Sequence, residues 1–182
     1  MSRKYSFRDN RQLYFVTFTV VHWIDVFIRE EYRKVLYDSI KYCQANKGLE
    51  VYGYCMMTSH VHMIIGTETG VLSDIVRDFK SFTSRHIRKA IESNNHESRR
   101  EWMLSLMYAA GINNERNKYF QFWQQHNHPI ELNTDEMLEQ RLAYIHNNPV
   151  ELGLVEKEGE WLHSSARDYY GLRKGEIELL FI

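Results

Sequence analysis

The sequence predicts an α+β fold, a central antiparallel sheet with helices packed on it. Three observations carry that expectation. Short runs of β-branched and aromatic residues alternate with longer segments of helical periodicity. Two of those runs are separated by only two residues, which suits a hairpin and leaves no room for a crossover helix. The element order strand, helix, strand, strand, helix, late strand, helix then places the helices over one face of the sheet.

The opening dozen residues are polar and basic and form an arm. Leu13 to Val21 is dense in aromatic and β-branched side chains, apolar on both faces, and predicts a central first strand. From Arg29 to Lys47 the apolar positions Tyr32, Val35, Leu36, Ile40 and Cys43 recur at helical spacing, with Gly48 suited to a left-handed cap. Leu49–Met57 and His60–Gly66 read as the two strands of a hairpin.

Leu72, Ile75, Val76, Phe79, Phe82 or Thr83, and Ile87 form the stripe of a second helix, whose polar side displays Arg77, Lys80, Arg85, Arg88 and Lys89. A polar loop from Glu92 to Ser98 leads into a short helix over Glu101–Ala110. Tyr119–Gln124 is the candidate fourth strand. Asn133 with Glu136 has the spacing of a capping box, opening a helix with Leu138, Leu142 and Ile145 on its apolar face, until Pro149 stops it. The remainder, with Trp161, Tyr169 and Tyr170, wraps back on the core. This layout is ferredoxin-like, and by itself it names no function.

The 182 residues, 43% hydrophobic, suffice for one core, so a single domain spanning 1–182 is expected, with 1–12 as its arm. Cys43 and Cys55 lack paired spacing and no leader or membrane span is evident, which fits the cytoplasm. Lys plus Arg number 23 against 24 Asp plus Glu, a balance unlike that of a wholly electrostatic nucleic-acid binder. The charge is nevertheless polarised. Residues 1–13 carry four basic and one acidic residue and 77–100 carry seven and three, whereas 151–182 carry four and seven.

Two positions apart on a strand, His60 and His62 project to the same side, and two imidazoles side by side are half of a metal site. The alternative is a pair of buried histidines bonded to protein groups. Cys55 is a possible soft ligand that would point to zinc, or else a small buried hydrophobe. On the last long helix, Met137, Arg141, Tyr144 and Asn148 share a stripe beside the apolar one, with His146 pointing elsewhere. Periodicity alone makes Tyr144 a packing residue and Asn148 a helix end.

Taken in order, the motifs resemble those of the single-tyrosine HUH transposases, in particular the REP-associated and insertion-sequence types. The likeness rests on Leu13–Val21, on Met56-Met57-Thr58-Ser59-His60-Val61-His62-Met63-Ile64-Ile65, and on Phe79-Lys80-Ser81-Phe82-Thr83. It continues through Phe122-Trp123-Gln124-Gln125, Tyr144-Ile145-His146-Asn147-Asn148-Pro149-Val150, and Gly153-Leu154-Val155 to Trp161 and Ser164-Ser165. Ser59 stands where the family usually has Asn, and the 92–118 spacer is longer than usual, so the resemblance implies an insertion there.

The resemblance implies a ferredoxin-like HUH domain that cleaves and rejoins single-stranded DNA through a 5'-phosphotyrosine. It implies Tyr144 as nucleophile and His60, His62 and Asn148 as ligands of a divalent Mg or Mn ion. The DNA is expected to contain a hairpin, and some relatives are dimers that exchange the tyrosine helix, so a homodimer is a further expectation. Candidate DNA contacts are Arg3, Lys4, Arg8, Arg11, Arg77, Lys80, Arg85, Arg88, Lys89 and Trp123, the last able to stack on a base or to pack in a core. The rival readings are a hairpin-binding protein that does not cut, and a metal-dependent hydrolase that forms no covalent intermediate.

Overall fold

The computed structural model describes residues 7–114 and 119–181. Four strands form one antiparallel sheet in the order β2-β3-β1-β4: β1 (Leu13–Thr19), β2 (Leu49–Met56), β3 (His60–Thr67) and β4 (Ile130–Leu132). The helices are α1 (Glu30–Lys47), α2 (Leu72–Ser93), α3 (Arg100–Ile112), α4 (Asp135–Glu151) and the single-turn α5 (Ala166–Tyr169). The α+β, ferredoxin-like layout is therefore present.

The helices do not all lie on one side, as the element order had suggested. The larger cluster joins Val16, Phe18, Val61, Met63 and Ile65 of the sheet to Leu36 and Ile40 of α1 and to Ile75, Val76 and Phe79 of α2. A smaller cluster joins Phe15, Cys55 and Ile64, which alternate with those residues, to Leu138 and Ile145 of α4. Strand alternation thus gives each face its own helices, and α4 covers the face that carries His60 and His62.

A bulge in β2 makes that second packing possible. Val51 pairs with Ile65 and Gly53 with Ile64, so Tyr52 is an extra residue that shifts the alternation. Gly53 falls under α4, where a Cβ would come within 2.6 Å of the Leu142 Cδ1. The missing side chain is what lets the helix settle on the sheet.

Several boundaries move. The first strand ends at Thr19, and Val21–Trp23 turns away as a short 3-10 helix. The fourth strand is Ile130–Leu132, whereas Trp123 makes only an isolated bridge to Val20 at the end of β1. Aromatic density there marks a buried crossing strap rather than a strand. Thr134, not Asn133, caps α4, its Oγ1 accepting from the Met137 N–H at 3.2 Å.

Nor does Pro149 stop the helix. α4 runs on to Glu151, and the Gly153 and Leu154 N–H groups close it by bonding back to the Val150 and Pro149 carbonyls, each at 2.9 Å. Between α2 and α3, the chain turns over residues 94–99 around a buried glutamate, Glu97.

Candidate active site

The sheet register determines what surrounds the histidines. His62 lies opposite Thr17 of β1 and Cys55 of β2, while His60 lies opposite Thr19. Both histidines are buried, and their ring centroids are 4.7 Å apart. The Thr17 hydroxyl is 2.8 Å from His62 Nδ1, and the Ser59 hydroxyl is 3.2 Å from His60 Nδ1. A hydroxyl that accepts from Nδ1–H fixes the tautomer in which Nε2 keeps a lone pair. Ser59, the departure from the family's usual Asn, therefore has a definite contact.

Burial holds both imidazoles neutral. It pushes His62 down to about 3, with the neighbouring His60 adding to the effect. His60 is lowered for the same reason, partly offset by the Asn148 side chain and Asp25. Neutral rings are the form that can ligate a metal.

α4 brings Tyr144 and Asn148 to this surface. The Tyr144 ring lies edge-on to His62 at 5.3 Å and to Phe15 at 5.9 Å, and the residue is 39% exposed. One turn on, Asn148 is buried with its side chain beside His60, and among the described residues its Oδ1 meets no donor in good hydrogen-bond geometry. An orphaned buried carbonyl costs stability unless something satisfies it, and beside two neutral imidazoles a cation would do so. Arg141, three residues before Tyr144, places its guanidinium over the Phe15 ring at 5.1 Å.

The donor set is thus two imidazole nitrogens and an amide oxygen, which suits a divalent ion that keeps several oxygen ligands. Among the described residues there is no cluster of three or more His, Cys, Asp or Glu placed to hold a metal. Cys55 faces His62 across the hairpin, but burial pushes its thiol up to about 12 and it rests 3.4 Å from the Met57 sulfur. The Cys55 sulfur packs as a small buried hydrophobe against Met57.

His146 also points elsewhere than Tyr144, and the structure shows to what end. Its Nε2 is 2.8 Å from the Ser165 hydroxyl, which bonds both the N–H and the carbonyl of Tyr54 in β2. This chain ties α4 to the sheet through the Ser164-Ser165 segment. Burial pushes His146 down to about 4.

The basic candidates are scattered. Arg3 and Lys4 lie outside the described residues. The Arg8 N–H donates to the Tyr14 hydroxyl, and Arg11 pairs with Asp9 at 3.1 Å. α2 packs on the face opposite the histidines, so its cations do not converge on Tyr144. Arg77 is paired with Asp74 and Asp78, Arg85 donates to the Ser81 carbonyl, Arg88 lies over Phe120 and Lys89 is exposed.

Two candidates are corrected. Lys80 is largely buried and donates to the Gln124 and Gln125 carbonyls at 2.9 and 3.3 Å, so its ammonium anchors the strap rather than a phosphate. Burial lowers it to about 8. Trp123 is only 4% exposed, packs among Phe18, Phe27, Phe79 and Phe122, and donates from Nε1 to Thr83 at 2.9 Å, so no base can stack on it.

Comparison with known proteins supplies the family. The model described as IS200-like transposase matches residues 12–115, more than half of the chain. The chain belongs to the IS200-like transposase family. A transposase function, single-stranded DNA cleavage and joining, follows from that membership. The matched span contains His60 and His62, whereas Tyr144 and Asn148 lie beyond it.

No curated protein matches the sequence. Among solved structures, a REP-associated tyrosine transposase bound to a REP hairpin shares the fold with a TM-score of 0.66 at 17% identity, covering 98% of this chain and 92% of that one. A structure described as a transposase from Deinococcus radiodurans R1 aligns at a TM-score of 0.41 and 18% identity over 81% of this chain and 95% of that one, too slight a likeness to carry an argument.

Among the described residues, no helix is long and apolar enough to cross a membrane. Sequence reasoning passed over Thr17, Phe15 and Trp23. Each touches a site histidine, and only strand register or a turn brings it there.

Proposed function

We propose that this transposase cleaves single-stranded DNA beside a hairpin through a covalent link to Tyr144, with a divalent Mg or Mn ion held by His60, His62 and Asn148. The observation that carries the reading is the meeting of two elements at one point. β3 supplies two neutral imidazoles, and α4 supplies an open tyrosine against His62 and, one turn on, a buried carbonyl oxygen beside His60 that meets no well-placed donor among the described residues. Packing alone requires none of these. Support for the hairpin comes from the shared fold with a transposase whose structure was solved on one.

When bound, the ion supplies positive charge at the oxygens of the scissile phosphate. Tyr144 attacks phosphorus in line. A bond forms between its oxygen and phosphorus, and the bond from phosphorus to the 3'-oxygen breaks. The phenolic proton leaves to water, which reaches Tyr144, and the departing 3'-oxygen gains a proton from water. His146 is not the base, because its Nε2 is engaged by Ser165. The phosphodiester energy is kept in the phosphotyrosine, so rejoining to another 3'-hydroxyl needs no nucleotide cofactor. Arg141, beside Tyr144 on α4, is placed to meet a phosphate of the incoming strand.

The test is incubation of the purified protein with labelled single-stranded DNA, hairpins and flanks from its own genomic locus, plus Mn or Mg, read on a denaturing protein gel. A DNA-shifted protein band that disappears with chelator and in Tyr144→Phe is expected. Cleavage without the band would replace this reading with hydrolysis, and binding without cleavage would replace it with a hairpin-binding role.

A further inference from the structure

Between β1 and α1 the chain makes a corner beside the candidate metal site. His22 (φ 56°) and Trp23 (φ 55°) are consecutive residues with side chains in the left-handed region. Such backbone is disfavoured wherever a Cβ is present, and two in a row persist only where the surroundings hold them. Here the Val20 N–H bonds to the Ser59 carbonyl, the Val21 N–H to that of Phe122 and the Phe27 N–H to that of Thr58.

A buried carboxylate completes the hold. Glu97 takes Arg29 at 2.7 Å and Arg99 at 3.0 Å, and Arg99 in turn donates to the Asp25 carbonyl at 3.0 Å. The segment that looks like an insertion in the sequence therefore braces the corner.

The corner leaves His22, Trp23, Asp25 and Ile28 exposed, and Trp23 is the largest of them. Val21, Ile24, Val26 and Phe27 are buried, whereas Trp23 is 58% exposed and its ring meets His60 at a centroid distance of 5.4 Å. Leaving the largest apolar side chain of a braced, strained turn in water gains nothing for folding. An open indole beside His60 suits an unpaired base, whose faces are free, and not a base already stacked within a duplex.

We propose that Trp23 is the stacking platform for an unpaired base next to the scissile phosphate, and that the Arg29-Glu97-Arg99 clamp keeps it in place. The inference rests on the site above being the cleavage site. Its role is to select a single-stranded flank without reading a particular sequence.

The test measures binding of a fluorescein-labelled hairpin with unpaired flanks from the chain's own locus to wild-type protein, Trp23→Ala, Trp23→Phe and Trp23→Gly. Intrinsic tryptophan fluorescence and Tyr144 adduct formation are followed in parallel. Trp23→Ala is expected to weaken binding by about 5- to 100-fold and Trp23→Phe by less. An abasic substitution at one flank position, or pairing of that flank with a complement, should erase the difference between wild type and Trp23→Ala. Trp23→Gly should bind as weakly as Trp23→Ala while melting no lower than wild type, because glycine relieves the left-handed backbone.

Binding by Trp23→Ala within twofold of wild type, or a deficit indifferent to which base is removed, would overturn the platform. If adducts form equally in Trp23→Ala and wild type, stacking fails and the cleavage reading stands. If wild type binds with a Trp23-dependent, abasic-sensitive signal but forms no adduct, the cleavage reading fails and stacking stands.

Discussion

The two faces of the sheet are made from the same strands and do opposite things. Toward α1 and α2, Val16, Phe18, Val61, Met63 and Ile65 meet an almost unbroken hydrocarbon surface sealed by Trp123. Toward α4, the alternating residues include Thr17, His60 and His62, and the apolar cluster is smaller. The difference teaches that one strand can hold reactive groups rigidly because its other side supplies the stability. Buried imidazoles and an orphaned amide oxygen cost free energy, and burial on the opposite face offsets it.

The largest effect expected is on the α4 face. Tyr144→Phe should abolish the covalent DNA adduct, while its melting temperature stays within about 2 °C of wild type, because only an oxygen on a half-open residue is lost. A large drop in melting temperature would mean that the reactive face also carries the fold.

The converse cut is Trp123→Ala. Removing this buried indole should cost about 3–5 kcal/mol in urea unfolding, yet the molecules still folded should form the adduct at the wild-type rate. Loss of chemistry in protein shown by circular dichroism to be folded would make the two faces inseparable.

Thr17→Val sharpens the comparison from within the site. It keeps the shape and removes the oxygen that orients His62, and should weaken Mn binding by about 10- to 100-fold in calorimetric titration. Unchanged affinity would take Thr17 out of the site.

The smallest effect is pH-dependent. His146 titrates at about 4 when folded, against about 6.5 in an unfolded chain. Between those values the unfolded state binds a proton that the folded state refuses. Stability from this group is therefore complete above pH 6.5 and falls as the pH drops toward 4, by about 1–2 kcal/mol between pH 7 and 5. His146→Gln, which keeps a hydrogen-bonding group for Ser165, should flatten that slope; an identical slope would place the buried proton linkage elsewhere.

Much of the fold was legible, and the reasons are local. The stripes of α1 and α2 and the two-residue gap between β2 and β3 depend only on residues near in sequence. The misreadings share one cause. Tyr119–Gln124 has the composition of a strand, but a buried aromatic strap has it too, and only the partner distinguishes them. Pro149 looks like a stop, yet near the last turn its missing N–H costs one bond and leaves the closing contacts from Gly153 and Leu154 intact. Lys80 sits on the polar side of α2, and only the strap folding over it turns a surface cation into an anchor.

By itself the sequence determined that His60 and His62 share a face, that Tyr144 and Asn148 share a helix stripe, and that the motifs run in the order of a transposase family. Those are consequences of fixed periods, two along a strand and 3.6 along a helix, which no distant residue can alter. Tertiary structure decided which sheet face α4 covers, that Thr17 and Ser59 hold the imidazoles, that the Asn148 oxygen is buried beside His60, and that Trp23 rather than Trp123 stays open. These depend on register, on the bulge at Tyr52 and on a left-handed corner braced from residues 97–99, all set by contacts between segments far apart in the chain.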